Sequence, residues 1–158
     1  MSQAGLLHHF ANKNELLAAV LELRDDQSRE YTTGEESDGL ETIRGLIRLV
    51  EYNASVPGLV ELHTTLSAEA TAPDHPAHDY FVRRYAWVSA FITGAFERIQ
   101  AKGQLVDDVD PGSAARGMIA LMDGAQVQWL LDRNSLDMAE EARMYVRLLI
   151  TVDLETVS

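Results

Sequence analysis

Three histidines are the side chains of this sequence whose type and spacing first suggest chemistry. His75 and His78 lie three residues apart and His63 lies upstream, and three imidazoles can in principle hold a metal ion. Pro76 interrupts the helical geometry between the pair, and no carboxylate completes a ligand motif. We therefore interpret His75 and His78 as side chains at a helix start, and we predict no metal site and no cofactor.

A serine, a histidine and an aspartate, which are the residue types of a nucleophilic triad, are also present as Ser67, His63 and Asp123. No strained nucleophile turn, glycine-rich phosphate loop or paired-carboxylate motif frames them, so we expect no enzyme. His63 lies between Leu62 and Leu66 on an otherwise apolar stretch. Two interpretations stay open for it: a hydrogen-bonded histidine of the core, or a polar group on the wall of a cavity.

The composition predicts one domain that is held together without disulfide bonds or a structural metal ion. The chain has 158 residues and no cysteine, which is enough length to bury one core and is compatible with a reducing compartment, so we expect a cytoplasmic protein. Its 13 Lys and Arg against 25 Asp and Glu give a net charge of −12, which repels a nucleic-acid backbone. No apolar run is long enough to span a membrane.

Capping signals place the first helices. Asn12 followed by Glu15 has the form of a capping box and predicts a helix start, and the polar stretch 25–38 predicts a connector. Asp38 with Glu41 repeats the signature ahead of apolar residues at three- and four-residue spacing.

Prolines, a glycine and a further aspartate delimit the remaining helices. Pro57 and Pro111 suit first turns, Gly103 suits a left-handed stop, and Asp137 suits an N-cap. No segment shows sustained two-residue alternation, so the predicted fold is all-α. From Asp38 onward we expect helices over residues 38–56, 57–70, 78–102, 111–131 and 137–152.

The amino-terminal string SQAGLLHHFANKNELLAAVLE resembles the end of the helix-turn-helix of TetR-family transcriptional regulators. The later strings VELHTTLSAEATAPDHPAHDYFVRRY and GQLVDDVDPGSAARGMIALMDGAQVQWLL resemble the regulatory domain of that family, in the same order. The resemblance implies a TetR-type C-terminal regulatory domain over residues 12–158, preceded at 1–11 by the end of the recognition helix and its turn. It also implies that the protein is a transcriptional regulator, and favours a repressor over an activator.

Family members carry two further helices ahead of the serine that matches Ser2, so the resemblance implies a shortened chain or a start codon placed too late. We expect operator DNA to be bound by the full-length protein only, since the first segment is neutral and the remainder is acidic. The positions that match the family's DNA contacts are Gln3, Gly5, Leu7, His9 and Lys13.

The resemblance further implies a cavity between the helices for a small, largely apolar effector. The sequence supplies wall residues that are mostly apolar with a few polar groups, as in many binding pockets. The alternative is that these side chains simply fill a core. The predicted pocket residues are Tyr52, His63, Leu66, Trp87, Phe91, Met118, Met122 and Gln126.

Family members dimerise through their last two long helices in a four-helix bundle, and the resemblance implies a homodimer here. Small residues along one side of the helix from Pro111 and apolar residues on the last helix suit such packing, although they could equally pack within one chain. The predicted interface residues are Gly117, Ala120, Gly124, Met138, Ala142, Tyr145, Leu149 and Val152.

The leading interpretation is a regulator in which the effector shifts the population of two arrangements of the helices and so changes the spacing of the DNA-reading heads. The helix from Asn12 would transmit the change. The alternative is a stand-alone dimeric ligand-binding or interaction module without DNA binding. Asp123, in the middle of an apolar helix, needs a partner if buried, and we expect Arg83 or Arg84.

Overall fold

The structure is a computed structural model, and it describes residues 20–21 and 38–155. Residues 20 and 21 are helical. The helix start at Asn12 and most of the connector 25–38 lie outside the described residues. The helices that follow are α1 (Gly39–Ser55), α2 (Pro57–Glu69), α3 (His78–Ala101), α4 (Pro111–Leu131) and α5 (Met138–Arg147).

The two predicted aspartate caps are confirmed. The Asp38 carboxylate accepts a hydrogen bond of 3.4 Å from the backbone N–H of Leu40, at the start of α1. Asp137 accepts from the N–H groups of Ala139 at 2.9 Å and Glu140 at 3.1 Å. Both carboxylates satisfy helix amides that have no carbonyl partner within the helix.

The predicted proline and glycine signals are confirmed as well. Pro57 and Pro111 occupy the first turns of α2 and α4, where a missing N–H breaks no helical hydrogen bond. Gly103, two residues after α3, has φ +67°, the left-handed conformation that ends many helices. The observed all-α class follows: among the described residues the extended pairing is a single isolated bridge.

The last helix is shorter than the sequence predicts. It ends at Arg147, and the expected continuation to Val152 is wrong. The chain leaves the helix because its backbone pairs with the loop after α3: the N–H of Val106 donates to the carbonyl of Leu149 at 2.8 Å, and that of Thr151 donates to Gln104 at 2.9 Å.

The main core lies where α3 packs against α1 and α4, with α5 closing it against α1 and α4. Ile92, Phe96 and Ile99 of α3 are fully buried there. A second, smaller cluster joins the end of α2 to the start of α3 and includes Leu21 and Phe81. The helical segment ahead of α1 is therefore anchored on the side of the molecule formed by α2 and α3.

None of the helices in the described part of the chain is both long enough and apolar enough to cross a membrane.

Gly39 marks the closest approach of α1 to α3. A Cβ there would overlap the carbonyl oxygen of Ala95 and lie 2.8 Å from Cγ1 of Ile99, and the backbone of α3 cannot yield as a flexible side chain would. We expect Gly39→Ala to lower the free energy of unfolding by about 1–3 kcal/mol, as overpacking does. Urea unfolding measures it.

Gly58 is the matched control because a Cβ there meets no atom within 4 Å. Gly58→Ala is expected to leave the unfolding midpoint unchanged or to raise it slightly, because alanine favours the helix more than glycine does. Equal midpoints for both variants would contradict the tight contact.

Candidate functional site

A cavity of about 340 Å³ lies between α1, α3 and α4, with His63 of α2 also on its wall; we call it the main cavity. It opens partly to solvent. Half of its lining side chains are polar or charged, and the aliphatic and aromatic ones form most of its surface. Its lining residues are Leu46, Leu49, Asn53, His63, Tyr80, Arg83, Arg84, Tyr85, Trp87, Val88, Phe91, Ile92, Ile119, Met122, Asp123 and Gln126.

Helical spacing explains how two of the walls arise. Ile119, Met122, Asp123 and Gln126 follow one another at steps of three, one and three, so they share one face of α4. That face is turned from the core face of the same helix, on which Met118 is fully buried. One helix thus supplies both packing residues and a cavity wall.

A hydrogen bond crosses the cavity wall from α3 to α4. The hydroxyl of Tyr85 donates to Oδ2 of Asp123 at 2.8 Å. Burial raises the pKa of Tyr85, and the hydrogen bond to the Asp123 carboxylate and its negative charge act in the same direction, while Arg84 and Ser67 oppose them. Tyr85 therefore stays a neutral donor at physiological pH.

The partner of Asp123 predicted from sequence was an arginine, and the hydrogen bond observed comes from Tyr85. Arg83 and Arg84 do line the same cavity, and the charge of Arg84 is felt at Tyr85. A direct pairing of either arginine with Asp123 remains a prediction.

His63 is buried and also lies on the wall of a cavity. It is only 5% exposed and it lines the main cavity. Its ring lies 5.5 Å from that of Phe81, centroid to centroid. The other two histidines bind nearby backbone, since Nδ1 of His75 accepts from the N–H of Ala77 and Nδ1 of His78 lies 2.8 Å from the carbonyl oxygen of Ala70.

Within the described part of the chain, no three potential metal ligands come together. His75 lies in the turn before α3 and His78 is the first residue of that helix, as expected for side chains at a helix start.

An aromatic pair forms one rim of the main cavity. The rings of Trp87 and Phe91 stack at 5.3 Å, with planes 14° apart. Trp87 is 52% exposed, which is unusual for a side chain with so much apolar surface. The indole therefore offers solvent an apolar face at the cavity mouth.

Of the eight pocket residues predicted from sequence, the structure brings His63, Trp87, Phe91, Met122 and Gln126 to the wall of the main cavity.

The other three lie off that wall. Met118 is in the main core, and Leu66 packs in the smaller cluster with Phe81. Tyr52 adjoins the lining residue Asn53, but one residue along a helix turns the side chain by about 100°.

Sequence reasoning missed most of the polar wall. It named Asp123 as a group needing a partner but did not place it, Tyr85 or Asn53 in the pocket. For α4 a signal existed, because Asp123 and Gln126 are the polar residues on the same helical face as Met122.

The structure places the predicted dimer residues in several different environments. Met138 and Ala142 are buried in the core of their own chain, where they offer no surface to a partner. Gly117 is covered by Tyr145, whose hydroxyl donates to the carbonyl of Ala114 at 3.1 Å.

Leu149 packs partly against the core, and Val152 lies beyond the end of α5. Ala120 is exposed, and a Cβ at Gly124 would meet no atom within 4 Å. These two therefore face outward from α4.

Further exposed apolar side chains, which the sequence did not predict, lie on α4 and on α5 with the residue that follows it. Val127 and Leu131 continue the outward stripe of α4, and Leu131 is 84% exposed. On α5, Met144 is half exposed and Leu148, just after the helix, is 72% exposed. We call Ala120, Gly124, Val127, Leu131, Met144 and Leu148 the outer face of α4 and α5.

The positions predicted to contact DNA, which are Gln3, Gly5, Leu7, His9 and Lys13, lie outside the described residues.

Comparison with known proteins gives a family and a fold. The model of the family described as BetI-type transcriptional repressor, C-terminal, matches residues 53–151. No curated protein matches the chain.

Two solved structures are similar. A TetR-family transcriptional regulator from Rhodococcus sp. has a TM-score of 0.71 and 22% identity, over 93% of this chain and 79% of that one. Thermus thermophilus FadR, a TetR-family transcriptional repressor in complex with lauroyl-CoA, has a TM-score of 0.57 and 20% identity, over 94% of this chain and 76% of that one. At such identities the likeness shows the fold alone.

Because the pKa of Tyr85 is raised, we expect the free energy of unfolding to depend on pH in the alkaline range. An unfolded tyrosine ionises near pH 10, whereas folded Tyr85 keeps its proton to higher pH, so stability is lost as the pH rises above about 10. We expect Tyr85→Phe to make that loss shallower. Urea unfolding at a series of pH values measures it.

Part of the slope will remain in the variant, because burial also raises the pKa of Tyr145. The same alkaline slope in both proteins would contradict the assignment to Tyr85, whatever the variant does to stability at neutral pH.

Proposed function

The chain belongs to the BetI-type transcriptional repressor family through its C-terminal domain, and from this we propose that it senses a small, largely apolar effector on behalf of a TetR-type repressor. The effector would occupy the main cavity. Its presence would favour one arrangement of the helices and thereby change DNA binding by the full-length protein.

The main cavity is the observation that carries this proposal. A volume of about 340 Å³ is within the range of small-molecule sites, and its surface is mostly apolar, with polar and charged side chains contributed by all four helices from α1 to α4. The FadR neighbour, which shares the fold, was crystallised with lauroyl-CoA, a molecule with a long apolar chain. That complex supports an apolar effector for this chain.

Contacts that lead from the cavity toward the amino terminus support a route for the signal. Tyr80 lines the cavity, and its hydroxyl lies 3.5 Å from the carbonyl oxygen of Leu21. Leu21 is buried against Phe81, whose ring also neighbours His63 and Tyr85 of the cavity wall. A ligand that moves these rings would therefore shift Leu21, which precedes α1.

We also propose that the protein is a homodimer whose interface is the outer face of α4 and α5. Leu131 and Leu148 expose large apolar side chains there, and burying them would be favourable. Ala120 and Gly124 are small enough to let a second helix approach closely. A second copy would present the same face, as a two-fold interface requires.

The effector site is tested by filling it. Val88 lines the main cavity, and we expect Val88→Trp to weaken binding of the apolar probe naphthalene by about tenfold or more, because the indole takes up the space. Isothermal titration calorimetry measures the Kd, and a ligand-induced rise in Tm checks it independently.

Val82 on the same helix is 56% exposed and does not line the cavity, so Val82→Trp is the control and should leave the Kd within about twofold. If wild-type protein gives no Tm rise with naphthalene, or if Val88→Trp binds it as well as wild type, the proposed site is wrong.

The interface is tested by placing charge on it. We expect Leu131→Glu and Leu148→Glu each to convert the dimer into a monomer at micromolar concentration. In the dimer, the new carboxylate would be buried against the same carboxylate of the second copy or against an apolar surface, and either is unfavourable. Sedimentation velocity measures the mass. Val82→Glu, on the exposed side of α3, should leave the dimer intact. A wild-type monomer, or glutamate variants that stay dimeric, would refute this interface.

A further inference from the structure

A second open space lies on the other side of the polar wall of the main cavity. It runs between α2 and α4, with a volume of about 280 Å³, and we call it the α2–α4 groove. Its lining residues are His63, Thr64, Ser67, Ala68, Thr71, Tyr85, Asp123, Gln126 and Val127. Four of these, His63, Tyr85, Asp123 and Gln126, also line the main cavity.

The four shared residues form a common wall of the two spaces. The hydroxyl of Tyr85 and the carboxylate of Asp123 meet within that wall, at 2.8 Å. The Thr64 hydroxyl and Oε1 of Gln126 are 3.5 Å apart, a long and weak link between α2 and α4. A molecule in the main cavity could reach the groove by displacing side chains alone.

The groove differs from the main cavity in the side chains that line it: seven of the nine are polar or charged, although most of its exposed surface is carbon. Thr64, Ser67, Ala68 and Thr71 line one side of it, and three of them carry hydroxyls. Ser67 donates to the carbonyl of Thr64 at 3.0 Å, and Thr71 donates to that of Ala68 at 2.8 Å. Because a hydroxyl has two acceptor lone pairs, each oxygen can still accept a hydrogen bond from a ligand.

The charges around the groove decide which polar ligand suits it. Asp123 is the one formally charged residue among the described residues that line it, so an anionic head would be repelled. A cationic head is less favoured than a neutral one, because the positive charge of Arg84 is felt at the same pair and would repel it. An uncharged group that donates several hydrogen bonds fits best.

We propose that the main cavity and the α2–α4 groove form one bipartite site for an amphipathic effector with an apolar body and an uncharged, hydroxyl-rich head. The body fills the main cavity and the head lies in the groove, where it donates to the hydroxyls of α2 and to Asp123. This inference rests on the proposed effector site, and it adds the class of the ligand.

A matched set of naphthalene derivatives tests it by calorimetry on the whole chain. The set comprises naphthalene, 2-naphthyl β-D-glucoside, 2-naphthoate and 2-naphthylmethylamine, which share one apolar body and differ in their heads. We expect the glucoside to bind about tenfold more tightly than naphthalene, and more tightly than the anion or the ammonium. Ala68→Phe, which fills the groove from an exposed position, should remove that advantage and leave naphthalene binding unchanged.

Thr65 on the same helix is exposed and lines neither space, so Thr65→Phe should keep the preference for the glucoside. A glucoside that binds no better than naphthalene, an advantage that survives Ala68→Phe, or tighter binding of either charged derivative would overturn the bipartite site while leaving the effector site in place. If neither naphthalene nor the glucoside binds, the effector site and this inference are both wrong.

Discussion

The hydrogen bond between Tyr85 and Asp123 joins α3 to α4 at the boundary between packed core and open space. A carboxylate on an otherwise apolar helix is costly to bury unless something donates to it, and a tyrosine can do so while the apolar part of its ring packs against neighbours. The bond lies in the wall of the main cavity and joins the two helices that form it. The cavity, the α2–α4 groove and the contacts leading to Leu21 are all arranged around it.

The division of α4 into three functional faces follows from the same packing. One face carries Met118 into the core, a second carries Met122 and Asp123 to the cavity, and a third exposes Val127 and Leu131. An all-round apolar helix is normally buried on every side. Here the exposed third would be buried by a second copy, so a change at the cavity wall and a change at the dimer interface would involve the same rigid helix.

Much of the fold could be predicted from the sequence because its signals are local. Asp38 and Asp137 cap helices through hydrogen bonds to N–H groups two or three residues ahead, and Pro57 and Pro111 act through their own rings. Such effects need no knowledge of distant residues. They placed four of the five described helix starts, all but that of α3, and the resemblance of three strings to one family agreed with the family that the chain proves to belong to.

Only the tertiary structure decided where α5 ends and which side chains face open space. The helical pattern runs on to Val152, yet the backbone there pairs with residues 104–106, more than 40 positions away in the chain. Tyr145 covers Gly117 within one chain, although the sequence predicted both for the dimer interface. Met118 and Met122 lie one turn apart, yet Met118 is in the core and Met122 lines the cavity. Composition and spacing determine that a residue is apolar and on which helical face it lies. Whether that face meets a neighbour, a void or solvent depends on how the helices pack, because a cavity is the space that non-local packing leaves unfilled.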